Sequence, residues 1–76
     1  MRISETIYAD FQNVDKLGRV RLNLRRTLFD LKTQRIMLEP GKELVLDNDA
    51  GVSGKGIVQF SEEEDIWVAV LPDIEH

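Results

Sequence analysis

The side chains best suited to chemistry in this chain are acids gathered in two short runs. Glu62-Glu63-Glu64-Asp65 sets four carboxylates in succession, and paired carboxylates do acid–base work when an apolar pocket drives their ionisation apart. Four in a row at a hairpin tip stay solvated, however, and the simpler reading is a charged guard that keeps the apolar stretch Ile66 to Leu71 from aggregating. Asp47-Asn48-Asp49 offers alternate oxygens of the kind that converge on a hard cation.

The calcium pattern fails further along. Counted from Asp47, the loop has Val52 where a glycine is needed and Val58 where a bidentate glutamate is needed. Nucleophilic catalysis fares no better. Ser4, Ser53 and Ser61 lack a base, because the only histidine is His76, the last residue, where chain ends fray. Gly51, Gly54 and Gly56 lack the phosphate-loop spacing and its Lys-Ser/Thr ending, and they lead into a strand instead of a helix. With no cysteine, disulfides and thiolate chemistry drop out as well. The expectation is a non-enzyme with no metal and no cofactor.

Charge is distributed unevenly. Residues 16–35 carry Lys16, Arg19, Arg21, Arg25, Arg26, Lys32 and Arg35 against Asp30 alone, a local +6, while the rest of the chain sums to −10 and the whole to −4. Arg19, Arg21 and Arg25 share one parity of an alternating segment, and a basic strand face on a small barrel is a recurrent way to follow a phosphate backbone. Cross-strand pairing with carboxylates explains the same arginines, and an acidic protein is repelled by nucleic acid at long range. Pairing is therefore the favoured reading. Tyr8 and Trp67 are the other candidates for a recognition surface, since amphipathic rings concentrate at interface centres; for Trp67, inside an apolar run, core packing is preferred.

The elements that must position these residues are short. Ile3, Ile7, Ala9 and Phe11 alternate with polar neighbours as a half-buried strand does, and Val20, Leu22 and Leu24 alternate with Arg19, Arg21, Asn23 and Arg25. Thr27 and Asp30 resemble a capping box that opens a helix over about residues 28–34. Pro40-Gly41 suits the centre of a type II turn before a strand from Glu43 to Asp47. A flexible loop over 48–55 precedes two apolar strands, 57–60 and 66–71, joined by a hairpin loop at 61–65. This predicts a mainly β fold: one domain over residues 1–76, a small five-stranded SH3-like barrel with one short helix between strands 2 and 3. An OB-like barrel is the alternative.

Gly18-Arg19-Val20-Arg21-Leu22-Asn23, Thr27-Leu28 with Asp30-Leu31, Pro40-Gly41 with Leu44 and Leu46, and Gly56 and Val58 followed by Ser61-Glu62-Glu63-Glu64 and Trp67-Val68-Ala69 together resemble small uncharacterised bacterial proteins of SH3-like type. The resemblance spans most of the chain and implies a barrel without an activity. Tyr8-Ala9-Asp10-Phe11 is superficially similar to the opening motif of peptide-binding SH3 domains, yet the paired tryptophan and later Pro-x-x-Tyr of their groove are missing.

Seventy-six residues leave no room for a second core. The N-terminus lacks an apolar stretch of signal-peptide length, and the longest apolar run, Ile66 to Leu71, falls far short of the ~20 residues that cross a membrane. The expected protein is a cytoplasmic binding or accessory module that meets a protein partner, a second copy included. The alternative is a nucleic-acid-binding barrel using Arg19, Arg21, Arg25 and Arg26.

Overall fold

Alternation of apolar and polar residues builds the sheet. The computed structural model describes residues 5–72 and contains β1 (Thr6–Tyr8), β2 (Val20–Arg21), α1 (Arg25–Thr33), β3 (Glu43–Asp47), β4 (Ser53–Ser61) and β5 (Ile66–Val70). The strands form one curled sheet, a half-barrel, in the order β1-β3-β4-β5-β2, with the helix between the second and third strands. β3, β4 and β5 are an antiparallel meander, β2 joins β5 antiparallel, and β1 lies parallel to β3. Ile3, the first residue of the opening alternation, lies outside the described residues.

Ile7, Ala9, Val20, Leu22, Leu44, Leu46, Val58 and Ala69 fill the concave face, and Leu31 and Ile36 close it from the helix side. On the other strands these are the inward positions that strand alternation selects; β5 is apolar at every position, so alternation does not single out Ala69. Val68 is also fully buried, although its parity is opposite to that of Ala69; its register partners on that face are Arg21 and Gln59, whose long stems are suited to covering it. Phe60 remains partly exposed, stacked edge-on against Trp67 at 5.1 Å between ring centres.

The turns follow local chemistry. Gly41 takes φ 89° after Pro40, and the Lys42 N–H closes the turn on the Glu39 carbonyl at 3.1 Å. The β3–β4 connection is shorter than the expected 48–55 loop, because residues 53–56 pair with β3. A side chain at Gly56 would crowd its neighbours there: an added Cβ would stand 3.1 Å from the Ala69 Cβ and 3.2 Å from Leu46 Cδ1.

The helix starts at Arg25, earlier than the Thr27–Asp30 pattern predicts, and its N-cap, Leu24, contributes no side-chain cap. Thr27 and Asp30 do something else. Thr27 Oγ1 donates to the Tyr8 carbonyl at 2.7 Å, and Asp30 Oδ2 accepts from the Tyr8 N–H at 2.8 Å. Gln34 Nε2, one turn on, donates to the Thr6 carbonyl at 2.8 Å. Side chains of α1 thus occupy the outer edge of β1, where another strand would otherwise pair. At the opposite edge, the Arg21 N–H donates to the Asn13 carbonyl at 2.8 Å, and the Asp15 N–H donates to the Arg19 carbonyl at 2.9 Å.

Thr27 is fully buried, so Thr27→Val keeps its shape while leaving the Tyr8 carbonyl without that donor. The substitution should lower stability by about 1–3 kcal/mol. Chemical denaturation checks it, and an unchanged midpoint would show that the edge contact contributes nothing.

Candidate functional site

Between β1 and β2 the chain makes a loop whose shape is set by one buried carboxylate. Asp15 Oδ1 accepts from the N–H of Leu17 at 3.0 Å and of Arg19 at 2.9 Å, and its Oδ2 accepts from Arg19 Nε at 2.9 Å. The Gly18 N–H returns to the Asp15 carbonyl at 3.0 Å, with Gly18 at φ 80°, a conformation that suits glycine. Burial works against the charge on Asp15. The hydrogen bonds from the backbone and side chain of Arg19 and from the Leu17 N–H outweigh it, so the carboxyl is held below its ordinary 3.8.

Asp15 ties the backbone of the loop from within, and the apolar side chains of Val14 and Leu17 are left exposed. Val14 and Leu17 line a groove of about 440 Å³ with Phe11, Val20, Val70 and Leu71, and Gly18, Arg19 and Gln59 complete its wall. Leu17 is 69% exposed. A cavity of this size and apolar lining takes one or two large side chains or a small ligand.

The six residues singled out from sequence do not form one surface. Arg19 and Arg21 flank Val20 at β2, whereas Arg25 and Arg26 stand on α1, because the strand stops at Arg21 and the chain turns into helix four residues later. The expected common face of Arg19, Arg21 and Arg25 is therefore broken. Arg21 meets Glu64 bidentately, at 2.7 and 2.9 Å, and also reaches Asn13 Oδ1 at 3.3 Å. That hydrogen bond from Arg21, against some desolvation, holds the Glu64 carboxyl below its usual range, and the same contact raises the Arg21 guanidinium. Arg19 is taken by Asp15 and by Gln59 Oε1 at 3.2 Å. Arg26 pairs with Asp49 and covers the Tyr8 ring, its guanidinium 4.6 Å from the ring centre. Trp67 packs against the core.

The carboxylates considered for cation binding are likewise engaged in their own turn. Asp47 Oδ1 accepts from the Asp49 N–H, and Asn48 Oδ1 from the N–H groups of Ala50 and Val52. Residues 13–18 read in sequence as turn formers, which by themselves predict no groove. Its signal is present in the sequence nonetheless, as Val14 and Leu17 are apolar residues inside an otherwise polar turn.

Comparison with protein families, with characterised proteins and with solved structures gives no match. The SH3-like resemblance rests on the residues alone.

Acid should loosen the loop once the Asp15 carboxylate is protonated. Because the folded carboxyl of Asp15 lies below its unfolded value, its contribution is full above 3.8 and is lost as the pH falls through the lower folded value. Denaturation midpoints across that acid range should fall less steeply for Asp15→Asn than for the wild type; identical profiles would remove Asp15 from the account. Arg21→Glu should lower stability at neutral pH by setting a new carboxylate beside Glu64, read as a lower denaturation midpoint.

Proposed function

We propose that the chain is a non-enzymatic, cytoplasmic binding module that holds an apolar segment of a partner protein in the groove between the 13–18 loop and the β4–β5 sheet. The observation that carries this reading is the outward placement of Leu17 and Val14 on a loop tied from within by Asp15, which holds the Leu17 and Arg19 N–H groups and the Arg19 side chain. An apolar side chain exposed on a rigid support is disfavoured in water and favoured against a partner. Partner addition along a strand edge has less support, since backbone or side-chain hydrogen bonds already cover both outer edges. A face is left.

Nucleic-acid binding through the arginines draws less support for a related reason. Arg19, Arg21 and Arg26 are each paired with a carboxylate, and a phosphate would have to displace it.

A photo-crosslinking residue at Leu17 should capture a defined protein partner in cells, while the same residue at Lys55, away from the groove, should not. Leu17→Asp should abolish co-purification of that partner and leave the fold intact. Recovery of the partner undiminished by Leu17→Asp would sink the groove reading. Salt-sensitive binding of a single-stranded oligonucleotide, lost in Arg21→Glu, would favour the nucleic-acid reading instead.

A further inference from the structure

Cations without an ion pair among the described residues are confined to one part of the fold. Among the described residues, Lys16, Arg19, Arg21, Arg26, Lys42 and Lys55 each make an ion pair. Arg25, Lys32 and Arg35 do not, and all three belong to α1 or to the residues that end it.

Helical spacing gives two of them company. Arg25, Leu28, Phe29 and Lys32 stand at i, i+3, i+4 and i+7, within an arc of about 100° on a helix of 3.6 residues per turn. The opposite arc holds Thr27, Asp30, Leu31 and Gln34, the residues that face β1 and the core. Asp30, the one acid of the helix, is thereby turned away. The outward face carries two cations around two bulky apolar side chains, Leu28 at 51% and Phe29 at 63% exposure.

We infer that this face docks an acidic amphipathic segment of a protein partner, whose carboxylates meet Arg25 and Lys32 while its apolar side chains cover Leu28 and Phe29. The charge pattern selects that occupant. A second copy pairing antiparallel through α1 would set Arg25 against the other copy's Lys32, and a parallel pair would set each cation against itself; both arrangements repel. An anionic lipid surface or a nucleic acid would also face the chain's net −4, a long-range repulsion that a short acidic segment, seated locally, largely escapes through screening. Phe29 and Arg25 are, besides, of the residue types enriched where protein partners meet. This inference is independent of the groove, which lies on other residues.

The probe is a capped synthetic peptide helix with a leucine stripe and glutamates on either side, titrated into ¹⁵N-labelled protein. Amide shifts should be confined to α1, with a dissociation constant of about 0.1–1 mM, the weak range suited to a surface of this size. Phe29→Glu should weaken binding about tenfold, and raising the salt to roughly 0.5 M should weaken it several-fold. Both apolar side chains are exposed, so the variant spectrum should remain that of a folded protein. A control peptide with glutamine in place of leucine should not bind. Absence of shifts at millimolar peptide, equal binding of the control, or shifts centred on Leu17 would each overturn the inference. So would tighter binding to phosphatidylserine–phosphatidylcholine vesicles or to a single-stranded oligonucleotide than to the peptide.

Discussion

The outer edge of β1 is satisfied by side chains instead of by another strand, and much of the molecule follows from that substitution. A curled sheet of five strands leaves two rows of unpaired backbone groups, each a template for unwanted pairing. Thr27, Asp30 and Gln34 are spaced so that one face of α1 and its C-cap offer a hydroxyl donor, a carboxylate acceptor and an amide donor to β1 in turn. Polar residues therefore occupy the inward face of this helix, with only Leu31 reaching the core from within it. The bulky pair Leu28 and Phe29 is left on the outside. The same constraint that seals the sheet thus creates the exposed apolar face.

Local patterns were readable where each strand pairs with its neighbour in sequence. The meander β3–β4–β5, the Pro40-Gly41 turn, the hairpin at 61–65 and the place of the helix all follow from alternation and turn chemistry. What depended on distant partners was not readable. Thr27 and Asp30 look like a cap because a capping box and a tertiary clamp use the same residue types. The parallel pairing of β1 with β3 has no local signature. Leu24 continues the alternation of Val20 and Leu22 but ends as the residue before α1, since the chain leaves the sheet after Leu22 donates to the Trp67 carbonyl at 3.0 Å. Glycines at 54 and 56 read as loop residues, whereas both lie in β4, and at Gly56 the close approach of Ala69 and Leu46 disfavours a side chain.

The uneven charge of the sequence is largely resolved inside the molecule. Basic residues of the 16–35 segment find acids from the 15–19 loop, the β3–β4 turn and the β4–β5 turn. Exposed pairs such as Lys16 with Glu63 contribute little to stability, while the half-buried Arg21–Glu64 contact fixes the hairpin relative to β2. A segment that looks like a polyanion-binding stripe in one dimension is, in three, mostly a set of internal ties. The residue of that charge is what α1 displays.

The parallel alliance of β1 with β3 also fixes an order of events during synthesis. β1 emerges from the ribosome before either of its lateral neighbours, and β3 emerges only after β2 and α1 have been made. In that interval Ile7 and Ala9 have no sheet to enter. Of the two elements that flank β1 in the finished fold, α1 alone is available first, so the hydroxyl, carboxylate and amide on its inner face are the earliest groups able to hold the nascent strand straight. A helix that serves as an edge guard in the mature protein is, in the growing chain, a native hydrogen-bonding neighbour that β1 can meet before its sheet exists.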